Sequence, residues 1–242
     1  MNPDDINQRF LDAVRESYET YLSVSTSRST AKLKPLHGQI AQDVQDRFGK
    51  NYTVISQGFG DDREECVQGR YYPKNVDITV CNKYSVPVAG YAVKFIMRNY
   101  SQNSNNYFEN MLGETANIRA NGIPYFQIFI TFDVIPYYGV GNILQRYEIL
   151  NEHHLEKYIA LSKDDPYFFC HTPNKTLIVI LDSKNTNIMS YSEKFPSGDL
   201  GGLILNNYAR FIEETFRIVH EIDKQEILRI MKKRLEKFND NN

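Results

Sequence analysis

The spacing of apolar residues changes period along the chain, and each change marks an element. Over residues 6–24 apolar positions return at helical spacing, as Ile6, Phe10, Val14, Tyr18, Tyr21 and Leu22, which predicts a helix. A polar break over 23–30 follows. A second helix is predicted over about 36–48, with Ile40, Val44 and Phe48 on one stripe and Gly49 as its stop. The period then falls to two. Residues 52–56 and 76–81 read as strands, 82–85 as a turn, and 86–96 as a longer strand rich in β-branched and aromatic residues, so 76–96 is a hairpin. A helix over 103–120 is stopped by Asn121-Gly122 and leads into an apolar strand at 125–130. Beyond it a helix over 152–161, a strand over 176–181 and a helical stretch over 206–238 are predicted. The succession strand, strand, helix, strand predicts an α/β fold: a mixed β-sheet flanked by helices, with a crossover helix in its middle.

Composition narrows this picture without redirecting it. With 242 residues, 41% apolar, there is enough core for one large domain, and no repeat or long linker divides the chain. No apolar run approaches the ~20 residues of a membrane helix, and Met1-Asn2-Pro3-Asp4-Asp5 is unlike a secretory signal, so a cytoplasmic protein is expected. Cys66, Cys81 and Cys170 are odd in number and lack CxxC spacing, which suggests neither a disulfide framework nor a structural zinc. A formal charge of −2 means that any contact with nucleic acid must come from a local surface. Gly58-Phe59-Gly60 and the glycines at 198–202 match no nucleotide-binding fingerprint, and adjacent His153-His154 lack the i, i+4 partner of zinc enzymes.

The chemistry is carried by charged residues inside apolar strands. Lys94 lies in Ala92-Val93-Lys94-Phe95-Ile96, and Asp77 lies between Val76 and Ile78, where an unpaired carboxylate is expensive to bury. If the 82–85 turn closes the hairpin, paired positions sum to about 169. Asp77 then falls opposite Ala92 and diagonal to Lys94, and a slip of one residue would separate them onto opposite faces. The plain alternatives are a salt-bridged aspartate and an edge-strand lysine. A carboxylate and a lysine side by side suit metal-assisted phosphodiester hydrolysis, in which carboxylates hold Mg²⁺ and the lysine acts on water and phosphate. Glu109 or Glu114, on the helix that follows, would add a second carboxylate; Glu109 shares a helical face with Leu112 and Ala116, and Glu114 with Met111 and Ile118.

Asp77 and Lys94 on a hairpin, then a helix and a strand, resemble the PD-(D/E)xK nuclease superfamily, to which many type II restriction endonucleases belong. The run from Val93-Lys94-Phe95 through Asn105-Asn106-Tyr107-Phe108-Glu109-Asn110-Met111-Leu112-Gly113-Glu114-Thr115 is also similar to the central segment of bacterial restriction enzymes. The resemblance covers about 36–130 and implies one nuclease domain over 1–242: N-terminal helices at 1–50, a restriction-endonuclease-like catalytic core at about 36–132, and a C-terminal extension at 133–242. It implies a homodimer in a prokaryotic cytoplasm that cuts specific sites in double-stranded DNA with Mg²⁺, using Asp77, Lys94 and a second acid. Val76 replaces the proline of the pattern. Ala92 occupies the place of the second acid, and three explanations stand: a carboxylate displaced to the helix, with that role carried to Glu109; an alanine substituted for an acid; or a naturally weakened site. Some members draw a carboxylate from the N-terminal helix, for which Asp43 and Asp46 are the local candidates.

Arg98, Asn99, Gln102, Asn103 and Asn105 form an amide-rich loop beside these residues, suited to reading base edges or, equally, to capping the next helix. Lys175, in His171-Thr172-Pro173-Asn174-Lys175, is a further candidate for DNA contact, or part of a plain turn. Two other functions stay open: a DNA-binding protein that kept a nuclease fold without its chemistry, and a repair or junction-resolving nuclease.

Overall fold

The computed structural model describes residues 2–23 and 30–239. The polar break over 23–30 therefore lies almost wholly outside the described residues. The N-terminal layer is α1 (Pro3–Ser23) and, after a 3-10 turn at Thr30–Leu33, α2 (Lys34–Phe48). Pro35 sits in the first turn of α2, where its missing N–H is harmless, and Gly49 at φ 76° ends the helix. Gln45 ties that helix to the next strand: its Oε1 accepts from Val54 N, and its Nε2 donates to Gly49 O and Tyr52 O.

The sheet contains β1 (Tyr52–Ser56), β4 (Ile78–Asn82), β5 (Pro87–Ile96), β6 (Tyr125–Phe132), β9 (Lys175–Leu181), β11 (Leu203–Leu205) and β10 (Gly198–Leu200), in that order across its seven strands. The pairs β1–β4, β4–β5 and β10–β11 are antiparallel, whereas β5–β6, β6–β9 and β9–β11 are parallel. The parallel β5–β6 pair needs a crossover, and α3 (Tyr100–Arg119) supplies it. Every position of β6 is buried, as a central strand covered on both faces requires. The fold is thus α/β with a mixed sheet.

Side-chain alternation assigns the two faces. Tyr91 donates its hydroxyl to Thr215 on α5 (Tyr208–Asn239) at 2.9 Å, and Phe126 packs on Phe211, so these positions face the layer of α1, α2 and α5. Their neighbours face the other way. Gln127 donates to Thr115 of α3 at 3.2 Å, and Phe129 packs on Tyr158 of α4 (Glu156–Ser162). Ala92 and Lys94 share this second face, because they pair in parallel with Gln127 and Phe129.

Two ribbons stand outside the main sheet. One pairs β2 (Glu65–Gln68) with β3 (Pro73–Val76), and its turn is held to α3 by Asn117, which accepts from Tyr71 N and donates to Tyr72 O. A Cβ on Gly69 would lie 2.2 Å from the Asn117 amide, so the ribbon sits this close only with glycine there. The other ribbon pairs β7 (Val134–Tyr138) with β8 (Leu144–Ile149). Asn99, in the left-handed region at φ 52°, docks it by donating from Nδ2 to Tyr138 O and accepting from Tyr138 N, both at 2.8 Å. Replacing Asn99 by alanine removes both bonds and puts a less suited residue at positive φ. A loss on the order of 2 kcal/mol in urea denaturation is expected, with faster hydrogen exchange at the Tyr138 amide.

Candidate active site

The hairpin register is the one the turn dictates. Ile78 pairs with Tyr91, Thr79 with Gly90 and Val80 with Ala89, so each sum is 169 until a bulge after Val80. The turn is closed by Ser85 N donating to Asn82 O at 2.9 Å, with Asn82 Oδ1 accepting from Tyr84 N and Val86 N. Asp77 lies at the join of β3 and β4, one step beyond Ile78, and so falls opposite Ala92. Its Oδ2 accepts from Val93 N at 2.7 Å, and its backbone oxygen accepts from Ser56 Oγ at 2.8 Å.

Asp77 opens onto a cleft of about 350 Å³ whose wall includes Lys32, Lys74, Lys94, Tyr107, Glu114 and Gln127. Burial pushes the Asp77 carboxyl up from 3.8 to about 6; the Val93 N–H opposes this, Glu114 adds to it, and Lys74 and Lys94 oppose it. The carboxylate is therefore desolvated and only partly compensated. Lys94 is exposed rather than buried in the strand: its ammonium reaches into the cleft, 5.0 Å from the Tyr107 ring centroid. The apolar neighbours of Lys94 in the chain, Val93 and Phe95, point to the other face of the sheet, where Phe95 packs near Tyr18 of α1.

The second carboxylate in the cleft is Glu114. It is 33% exposed and paired with Lys74 Nζ at 2.9 Å. Burial pulls the Lys74 ammonium down, but Glu114 outweighs this and leaves it raised. Glu109, expected as the metal ligand, is exposed and absent from the cleft wall, and its charge acts on Lys157 instead. Helix geometry explains the exchange. Tyr107, Asn110, Met111 and Glu114 form one i, i+3, i+4, i+7 stripe along the cleft, and Glu109 lies off it.

The other candidates disperse. Asn99 spends both ends of its amide on the β7–β8 ribbon, Asn103 donates to Asn99 O, Gln102 accepts from Asn99, and Asn105 accepts from Lys157. These amides build the loop. Arg98 stays near the cleft and donates to Asn142 at 2.7 Å. Lys175 is on the opposite face of the sheet, paired with Glu214 of α5 at 3.0 Å, so it does not share a surface with Lys94. Asp43 accepts from Arg9 and Tyr208 in the layer behind the sheet, and Asp46 is exposed and accepts from Gln42. Neither reaches the cleft.

Gln127 is the residue that sequence reading passed over. It is a buried amide in a strand whose other positions, Thr131 apart, are aromatic or aliphatic, the same anomaly that singled out Asp77 and Lys94. A second feature lies behind Asp77. His37 of α2 is 4% exposed with neither ring nitrogen hydrogen-bonded, and burial lowers it to about 4 although Glu64 pulls the other way. Glu64 in turn is raised by burial and then by Asp77. The approach is close because Gly38 and Gly58 meet backbone to backbone: a Cβ on Gly38 would lie 2.4 Å from Gly58 O.

Among the described residues, no three His, Cys, Asp or Glu side chains gather into a metal-binding group. A hard divalent cation that keeps most of its waters needs only one or two carboxylates. Asp77 suits that demand, since Oδ2 takes the Val93 N–H and, among the described residues, none donates to Oδ1, with the Glu114 carboxylate near enough to raise it. No helix among the described residues is long and apolar enough to cross a membrane. No family model, curated protein or solved structure matches this chain.

Proposed function

We propose that this chain is a Mg²⁺-dependent endonuclease that hydrolyses phosphodiester bonds of double-stranded DNA, acting as a site-specific enzyme of the type II restriction kind and working as a homodimer. The observation that carries this reading is the placement of Asp77 and Lys94 on one cleft, at the ends of adjacent strands, with Glu114 lowered into it from the crossover helix. Asp77 and Glu114 would hold the metal, which when bound supplies a Lewis acid for the phosphate and a water of lowered pKa. Lys94 has the reach and exposure to bind a non-bridging phosphate oxygen and orient the attacking water. Gln127, fixed by Thr115, offers a neutral hydrogen-bonding group beside them. Two copies related by a twofold axis would cut both strands of a symmetric site.

The test is digestion of phage DNA in Mg²⁺ and in EDTA by the wild type, Lys94→Ala, Glu114→Gln and Glu109→Gln. Discrete fragments that vanish in EDTA are expected from the wild type. Lys94→Ala and Glu114→Gln should be slower by about a hundredfold or more, and Glu109→Gln close to wild type. A Lys94→Ala protein that cuts like the wild type would end the reading. One observation favours a second reading, a DNA-binding protein without chemistry: Ala92 stands where an acid would complete the site, and Lys74 already neutralises Glu114. Specific binding with no metal-dependent cleavage would decide for it, and cleavage confined to branched DNA would mark a junction-resolving enzyme.

A further inference from the structure

The β7–β8 ribbon leaves the sheet beyond the part of the cleft that Lys94 and Phe129 line. β7 begins two residues after β6 ends, and β6 runs parallel to the strand carrying Lys94. We propose, resting on the nuclease reading, that this ribbon enters a groove of duplex DNA and that Lys32, Lys94, Arg98 and Arg146 mark the phosphate track leading to the cleft.

The ribbon's surface is the first reason. Val140, Ile143, Tyr147 and Ile149 are each more than 60% exposed, an arrangement that water alone does not favour. Its rigidity is the second. Besides Asn99, Arg98 donates to Asn142 near the tip, Asn99 N donates to Pro136 O, and Ser101 N donates to Glu148 at the base. An exposed ribbon fixed at tip and base is preorganised for a partner.

Charge identifies the partner. Arg98 lies 5.8 Å from the Tyr138 ring and Arg146 lies 3.9 Å from the Tyr137 ring, while Lys94 covers Tyr107. Tyr107 walls both the active cleft and the neighbouring depression formed with Arg98, Tyr138 and Asn142, so the two hollows lie side by side. Lys32, Lys94 and Arg98 are close enough that the last two repel the Lys32 ammonium, on top of its burial. One carboxylate, Glu148, answers Arg146 at 3.2 Å. A chain of net charge −2 that concentrates cations here suits a polyanion, and the apolar and tyrosine side chains suit the base edges and thymine methyls of a groove. A two-stranded ribbon also has the width to enter a major groove.

The experiment compares wild type, Arg146→Ala and Tyr147→Ala for binding of a duplex fragment of phage DNA across a salt series, for cleavage of whole phage DNA, and for melting temperature and solution mass. Both side chains are exposed, so unchanged melting temperatures are expected. Affinity should fall about tenfold in each variant, the salt dependence of Arg146→Ala should lose about one phosphate contact, and the fragment pattern should broaden. Variants that bind and cut like an active wild type overturn the ribbon's role and leave the nuclease reading standing. A changed solution mass with unchanged DNA affinity makes the ribbon an interface between copies and likewise overturns it. A wild type that neither binds nor cuts DNA overturns both.

Discussion

Asp77→Asn is expected to melt above the wild type at pH 8 and to cut no DNA. The folded carboxyl titrates at about 6 against an ordinary 3.8, chiefly because burial strips its water. Between those values the folded chain holds a proton that the unfolded chain has released. Stability from this group is therefore complete below pH 3.8 and is lost as pH rises through about 6. The full gap corresponds to on the order of 3 kcal/mol. Screening by water, which reaches this partly exposed residue, reduces it to roughly 1–2 kcal/mol. Asparagine stays neutral, fills the same volume and still accepts from Val93 N through its Oδ1. At 2–4 °C per kcal/mol for a chain of this size, the variant should melt about 2–8 °C higher at pH 8, and the difference should close as pH approaches 4. Calorimetry across that range measures it. An asparagine variant that melts lower than the wild type at pH 8 would mean that Asp77 is a structural ion-pair partner.

The same substitution separates site from scaffold. If Asp77 is kept desolvated to receive a cation, Mg²⁺ should raise the wild-type melting temperature in proportion to the logarithm of its concentration. Asp77→Asn should not respond. The resident instability would then be the counterpart of function, as expected where an active group is held ionised in surroundings that disfavour charge.

Much of this arrangement is legible in the sequence because turn chemistry and side-chain period are local. The Asn82–Ser85 turn sets the register, and the register alone brings Asp77 and Lys94 to one cleft. The crossover helix and the central strands follow from periodicity in the same way. What is not legible depends on which neighbour covers a surface. Leu112 suggests a buried stripe through Glu109, yet α3 buries Met111, Thr115 and Ile118, along with Tyr100 and Asn117, so Glu114 turns toward the cleft. The β2–β3 ribbon carries little alternation, because its pairing is fixed by Asn117 from a distant helix. The β8 strand of the second ribbon exposes Leu144, Tyr147 and Ile149 and thus lacks the pattern of a half-buried strand. Asn99 reads as a base-contacting amide until the backbone of Tyr138 is seen to occupy it.

His37→Leu should remove an acid liability and expose the opposite slope of Asp77. The imidazole is enclosed, makes no hydrogen bond among the described residues, and is held down to about 4 from 6.5 by burial, with Glu64 opposing. As pH falls from 6.5 the unfolded chain takes up a proton that the folded chain refuses. Stability from this group is thus present above about pH 6.5 and lost as pH falls toward 4, by on the order of 3 kcal/mol. Asp77 works in the other direction over nearly the same window and offsets part of this, so the wild-type unfolding free energy should fall by only roughly 1–2 kcal/mol as pH falls from 6.5 to 4. Leucine fills a similar volume and leaves no unpaired polar atom. Urea denaturation of His37→Leu should show stability rising as the solution is acidified from pH 6 to 4, whereas Asp77→Asn, with His37 intact, should show it falling. A double variant carrying both changes should be nearly flat. If His37→Leu keeps the wild-type profile across this window, then the imidazole is not the group that resists protonation, and the buried ring is hydrated or paired in solution.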